Sequence, residues 1–186
     1  MLPEGLVYRP EFVSEDEERQ LVELLDSLAF NEITMRGQTA RRVVRHFGLD
    51  YDYETWKVRP GEPLPESLEW LRERAAGLID ANAGELAQIL VTRYPPGAPI
   101  GWHRDAPMFG TVIGVSLAAL SRMRFQRGKG DKREVAEIVL EPRSAYVLQG
   151  PARTQWQHSI PPVRELRYSI TFRTLSGRAR ARQTAA

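Results

Sequence analysis

Three histidines occur in the chain, His46, His103 and His158, and one of them stands in Trp102-His103-Arg104-Asp105. In an extended segment residues i and i+2 face the same way, so His103 and Asp105 can offer an imidazole nitrogen and a carboxylate oxygen to one ion. A third donor is needed. His158, in Trp156-Gln157-His158-Ser159, can be returned to them by antiparallel topology. Two imidazoles and one carboxylate cover one face of an octahedral iron(II) and leave the opposite positions for a co-substrate and dioxygen. On its own His-x-Asp is a weak signal, because surface His/Asp pairs that bind nothing share the spacing. His46 has no such companion and reads as a structural or base-stacking residue.

A second chemical feature lies near the C-terminus, in Arg167-Tyr168-Ser169-Ile170-Thr171-Phe172-Arg173. Period 2 puts Arg167, Ser169, Thr171 and Arg173 on one face of a strand and Tyr168, Ile170 and Phe172 on the other. Two arginines facing an interior are costly without anionic partners. At about 3.3 Å per residue their Cα atoms stand roughly 20 Å apart. If each side chain reaches inward by about 6 Å, a gap of roughly 8 Å remains, near the length of a short dicarboxylate. The alternative is an edge strand whose polar face meets solvent.

These residues need a scaffold that brings distant segments together. Ser14-x-x-Glu17 is a capping box followed by Leu21, Leu24, Leu25 and Leu28, which predicts an amphipathic helix over 15–28. A second helix is expected over 66–80, with Leu68, Leu71, Leu78 and Ile79 as its apolar stripe. From residue 86 the period becomes that of strands: 88–94, 111–117, 123–126, 135–140, 145–148 and 167–174, punctuated by Pro95-Pro96-Gly97, Gly128-Lys129-Gly130-Asp131 and Gly150-Pro151. Two helices followed by about eight short strands suggest an α+β, mainly β fold: an antiparallel sandwich or jelly roll with the helices packed on one side.

Composition narrows the functional classes. A chain of 186 residues suits one domain, and its apolar fraction of 42% excludes disorder. No apolar run approaches the roughly 20 residues of a membrane helix, and the N-terminus does not read as a secretory signal, so a cytoplasmic protein is expected. Without cysteine there are no disulfides, thiolate nucleophiles or iron–sulfur ligands, and a metal must use His, Asp or Glu. The net charge of +2 carries no claim about nucleic acid. Of the 26 basic residues only Lys57, Lys129 and Lys132 are lysines, so 23 are arginines, whose planar forks suit carboxylates and phosphates.

Taken together, His103-x-Asp105, then His158, then Arg167-x5-Arg173 resembles the signature of the AlkB family of iron(II)- and 2-oxoglutarate-dependent dioxygenases. Tyr94-Pro95-Pro96-Gly97 upstream of His103, and Arg153-Thr154-Gln155-Trp156-Gln157-His158 around the distal histidine, agree with it. The resemblance covers about residues 88–175, with a weaker match over 31–59. It implies a double-stranded β-helix (jelly roll), with a catalytic core at 88–175, a substrate-recognition lid at 31–59, one domain over 1–175 and a mobile basic tail over 176–186. His103, Asp105 and His158 would hold iron(II). Arg167 would pair with the distal carboxylate of 2-oxoglutarate, helped by the Tyr94 hydroxyl, and Arg173 would lie near the carboxylate beside the keto group. Thr92 and Ser169 stand where relatives often carry asparagines that contact the co-substrate. The implied reaction converts 2-oxoglutarate and dioxygen to succinate and carbon dioxide while hydroxylating a substrate C–H bond. An N-methyl group so hydroxylated leaves as formaldehyde.

For the substrate, the segment 31–59 interleaves Arg36, Arg41, Arg42, Arg45 and Arg59 with His46, Phe47, Tyr51, Tyr53 and Trp56, with Gly37 and Gly48 as hinges. Cations for phosphates and aromatic faces for bases suit nucleic acid whose target base is flipped out. Methylated DNA or RNA is therefore the expected partner of a monomeric enzyme, with Arg41, Arg42, Tyr51, Trp102 and Phe109 as substrate-binding candidates. For Trp102 and Phe109 core packing is the simpler reading. Several DNA-repair relatives carry an acidic residue two positions after the metal aspartate, where this chain has Pro107. The alternatives are a hydroxylase of a protein or small molecule, and a non-catalytic jelly-roll binding module.

Overall fold

The computed structural model describes residues 1–35, 37–51, 58–177 and 179. Its strands and helices run, in chain order, β1 (Leu6–Arg9), α1 (Glu15–Asp26), β2 (Asn31–Met35), β3 (Gln38–Phe47), β4 (Leu49–Tyr51), β5 (Val58–Pro60), α2 (Glu69–Gly77), β6 (Leu86–Tyr94), β7 (Ile100–His103), β8 (Phe109–Leu117), β9 (Ser121–Arg127), β10 (Glu134–Leu140), β11 (Ser144–Leu148), α3 (Gly150–Thr154), β12 (Gln157–Ile160) and β13 (Arg167–Leu175). A seven-stranded sheet has the order β1-β11-β8-β13-β6-β3-β2, and a four-stranded sheet the order β10-β9-β12-β7. The short pair β4–β5 stands apart from both.

Period 2 sorts each strand of the larger sheet between two cores. On one face, Ile89, Val91, Ile113, Val115, Tyr168, Ile170 and Phe172 bury themselves against Leu21 and Leu25 of α1 and Leu71 of α2. Each such side chain contributes about 1.5–3 kcal/mol by leaving water. On the other face, Tyr94, Val112 and Leu148 meet Met123 and Phe125 of the smaller sheet. This is the expected mainly β jelly roll with helices on one side. Because β13 lies at the centre of the larger sheet, the face carrying Arg167, Ser169, Thr171 and Arg173 looks toward the smaller sheet and away from solvent.

α1 starts at the predicted capping box: Ser14 Oγ accepts from the Glu17 amide and Glu17 returns a bond to the Ser14 amide. The second predicted helix is shorter than expected, a 3₁₀ turn over Glu66–Leu68 leading into α2. Five further strands, β1, β2, β3, β7 and β12, join the two main sheets beyond those read from the pattern. In the segment read as a lid, β2 and β3 extend one side of the larger sheet, and β4–β5 forms a separate two-stranded sheet that packs against β6. β3 lies between β2 and β6, with Arg41 exposed and Arg42 and Arg45 half-buried. Arg36, Tyr53, Trp56, the Tyr51 side chain and most of the expected tail lie outside the described residues. Among the described residues no helix is long and apolar enough to cross a membrane.

Candidate active site

His103 ends β7 and His158 lies in β12, and antiparallel pairing of the two strands sets these residues directly opposite each other. Opposed residues point to the same face. The two imidazole rings are consequently 4.3 Å apart between centroids, although 55 residues separate them in sequence. His103 Nδ1 is 2.8 Å from the Gly101 carbonyl oxygen. A carbonyl only accepts, so Nδ1 carries the proton and Nε2 keeps its lone pair. Burial lowers the His103 pKa despite opposition from Asp105, and burial with help from His103 pushes His158 down to about 3. Both rings are neutral at pH 7, the form that donates to a metal.

Asp105 follows β7 directly and brings its carboxylate to the same place, with Oδ2 3.7 Å from His158 Nε2. Since that imidazole is neutral, the approach is not an ion pair. Burial alone would raise the Asp105 carboxyl. The Arg173 guanidinium beside it outweighs this and holds the group well below the usual carboxylate range. Arg173 Nη2 donates to Oδ1 at 2.7 Å, whereas Oδ2 is buried without a hydrogen-bond partner. An unpartnered buried carboxylate oxygen is costly and calls for a cation or a donor. Among the described residues, no group of three or more His, Asp or Glu side chains is closed into a metal cage. The donor chemistry nonetheless fits a divalent ion, because two neutral imidazoles, 4.3 Å apart between centroids, accompany a buried carboxylate oxygen that has no hydrogen-bond partner and lies 3.7 Å from His158 Nε2.

Around these residues lies a cavity of about 970 Å³. Thr92, Tyr94, Ser169 and Arg173 line it, as do Arg42, Trp102 and Phe109. Leu90, Val112, Met123 and Ile160 supply apolar wall. Arg167 does not line the cavity. It is fully buried behind Tyr94, with its guanidinium carbon 5.0 Å from that ring's centroid. Its Nε donates to Ser116 Oγ at 3.1 Å, while Nη1 and Nη2 have no partner. Two unsatisfied donors on a buried cation fit a carboxylate. Ser169 and Thr92 are paired across β13 and β6 beside them.

The substrate candidates fare differently. Phe109 is buried, as core packing requires, with Arg173 5.3 Å from its ring centroid. Trp102 corrects the core reading: it is 37% exposed and lies 5.5 Å from the Arg124 guanidinium, because β7 is an edge strand and turns this side chain outward. Arg41 stands outside the cavity, near Gly97, where its Nη1 would lie 3.0 Å from an added Cβ. Arg45 and Arg59 are engaged by Glu62 and Asp50 respectively. His46 Nδ1 is 3.4 Å from Asp50 Oδ1, and burial lowers its pKa to about 4. That is a structural role.

Two residues with consequences for the site escape sequence reasoning. Arg153 donates to the carbonyls of Ala106 (2.8 Å), Phe109 (2.8 Å) and Gly110 (3.0 Å), fixing the loop that follows Asp105. Gln88 accepts from Arg173 Nη1 at 2.7 Å and donates to the Leu49 carbonyl at 3.0 Å. The signal for Gln88 was a polar residue on the same strand face as Thr92 and Tyr94. Arg153 stands in the motif quoted around His158, but no local pattern gives it this role.

Comparison with known proteins accords with this geometry. The chain is 30% identical over 188 residues to tRNA (carboxymethyluridine(34)-5-O)-methyltransferase alkbh8 of Xenopus tropicalis, covering 95% of this chain and 29% of that protein. It is 28% identical over 142 residues to DNA oxidative demethylase ALKBH2 of Mus musculus, covering 69% of this chain and 58% of the relative. The chain thus spans less than a third of the methyltransferase it matches. Its fold superposes on the solved structure of OsALKBH1 with a TM-score of 0.71 at 14% identity, covering 94% of this chain and 98% of that one. The model of the 2OG-Fe(II) oxygenase superfamily matches residues 5–173. By that match the chain belongs to the 2OG-Fe(II) oxygenase superfamily.

Proposed function

We propose that this chain is an iron(II)- and 2-oxoglutarate-dependent oxygenase that demethylates alkylated bases in DNA or RNA. The observation that carries the reading is the buried, unpartnered Asp105 Oδ2 beside the neutral imidazoles of His103 and His158, on the wall of a large cavity. These three side chains would hold iron(II). Arg167, with two free N–H donors, would take the distal carboxylate of 2-oxoglutarate with the Tyr94 hydroxyl, while Thr92 and Ser169 supply shorter hydroxyl contacts. When bound, the metal with dioxygen and the keto acid would supply oxidation of an unactivated C–H bond, with succinate and carbon dioxide as co-products.

The chain's own side chains do the rest. Arg173 keeps Asp105 ionised, and the Gly101 carbonyl keeps His103 in the tautomer with a free Nε2. Apolar side chains such as Leu90, Val112 and Met123 exclude water from a base entering the cavity. At its mouth Trp102 offers an exposed face for stacking, and Arg42 and Arg104 offer charge for phosphates. Among the described residues neither arginine is engaged by a carboxylate. The names of two relatives, a tRNA methyltransferase and a DNA oxidative demethylase, support a nucleic acid as the substrate class.

The test is incubation of the chain with iron(II), 2-oxoglutarate and a panel of methylated DNA and RNA oligonucleotides, followed by mass spectrometry of the bases and assay of formaldehyde. One or more oligonucleotides should lose a methyl group, with an equal amount of formaldehyde released. Succinate formation on extracts with no oligonucleotide demethylated would transfer the chemistry to a protein or small-molecule substrate.

A further inference from the structure

The two oxygens of Asp105 are in different circumstances: Oδ1 is held by Arg173 and Oδ2 has no partner. An arginine facing a carboxylate frequently takes both oxygens through two parallel N–H bonds. Arg173 does not: its Nη1 is held 2.7 Å away by Gln88 Oε1, and its Nε is buried with no hydrogen-bond partner.

Gln88 is itself fixed. It is fully buried, and its Nε2 donates to the Leu49 carbonyl. Since a carbonyl cannot donate, the amide must turn its NH₂ toward Leu49 and its oxygen toward Arg173. Gly48 makes the tether possible. Its φ is +77°, and a Cβ there would lie 2.5 Å from the Ala87 carbonyl oxygen, so only glycine lets the chain pass this close to β6. Backbone bonds from Gly48 N to Glu62 O (2.7 Å) and from Gly61 N to Gly48 O (2.9 Å) close the base of the excursion that carries Leu49.

We propose that Gln88 is a positioning residue: it restrains one arm of Arg173 and so keeps Asp105 Oδ2 open to a divalent cation. The inference rests on the reading of His103, Asp105 and His158 as cation ligands and adds the device that stops the site from closing on itself. Without an acceptor at position 88, Nη1 is released beside a carboxylate already bound by its sister nitrogen. The pair then closes into a two-pronged fork that occupies Oδ2, and a cation must break it to enter. Gln88 touches neither metal nor substrate.

Titration of the full chain with Mn(II), followed by the electron paramagnetic resonance of the free ion, tests this without turnover. Gln88→Leu should weaken Mn(II) binding by about tenfold, the worth of one charge-assisted hydrogen bond. Gln88→Glu still presents an oxygen to Arg173 and should bind at least as tightly as the unaltered chain. Thermal melts establish that each variant folds, and Gln88→Met replaces the leucine variant if that one does not. Unchanged affinity in the apolar variant, with Mn(II) bound normally by the unaltered chain, overturns the inference and leaves the ligand set standing. Equal loss in the apolar and glutamate variants also overturns it, because the Leu49 tether would then be the whole role of Gln88. Failure of the unaltered chain to bind Mn(II) removes the ligand reading and this inference together.

Discussion

A buried arginine with two idle donors is the least stable-looking residue in the molecule, and Arg167 is that residue. Among the described residues, one bond to Ser116 and the Tyr94 ring offset part of its desolvation. Replacing buried charge with an apolar side chain of similar length is often neutral or stabilising. Arg167→Met should therefore leave the melting temperature of the unliganded chain unchanged or higher, while the stabilisation that 2-oxoglutarate gives the Mn(II)-loaded chain disappears. A thermal shift series with and without the keto acid checks both halves. A fall of several degrees in the unliganded variant would assign Arg167 to the scaffold instead. The same scale shows what sequence can reveal. His103, Asp105 and Arg173 were legible because each has a chemical type that is costly without a purpose, at a spacing that matches its neighbours. Gln88 and Arg153 were not, since their partners lie 39 and 85 residues away for the first and 43–47 for the second, and only the fold connects them.

Helices α1 and α2 are tied to each other by one residue that also caps the first. Glu17 closes the capping box on Ser14 and receives both arms of Arg74, through bonds of 2.8 and 2.7 Å. The Arg74 bonds first, and then the Ser14 amide, hold its carboxyl down to about 2 from an ordinary value of 4.5. A carboxyl depressed in the folded state favours folding above its unfolded pKa and loses that contribution as pH falls toward its folded one. Glu17→Gln should cost about 0.5–1 kcal/mol at pH 7, a modest figure because the pair is partly exposed. Urea melts should show the gap between the two proteins closing between about pH 4.5 and about pH 2. A gap that persists at pH 2 would mean that packing, not charge, is what the substitution removes. At this scale helices and central strands were readable from their apolar period. β7 and β12 were not, because four-residue strands carrying Trp102, His103, Gln157 and His158 have no alternating apolar pattern. β3 was obscured by its arginines, Arg41, Arg42 and Arg45, which interrupt any apolar alternation.

For the molecule as a whole, the larger sheet separates two kinds of work. Its face toward the helices is apolar and holds the fold together, while its face toward the smaller sheet carries Ser169, Thr171 and Arg173 on the cavity wall and Arg167 buried against the Tyr94 ring. The smaller sheet supplies His103 and His158 from adjacent strands, so the site exists only where both sheets have formed. The expectation of a jelly roll followed from strand count and turns, but the pairing of β7 with β12 is a property of topology that no local pattern states. The claim at the centre is that one cavity unites a three-residue cation site with an anchor for a keto diacid. Its most direct test is the conversion of 2-oxoglutarate to succinate in the presence of iron(II), dioxygen and a methylated oligonucleotide, measured for the unaltered chain and for Asp105→Ala. Succinate should form with the unaltered chain and fall at least a hundredfold, about 2.7 kcal/mol in the barrier, in the variant. Equal succinate from both proteins, or none from the unaltered chain, would contradict it.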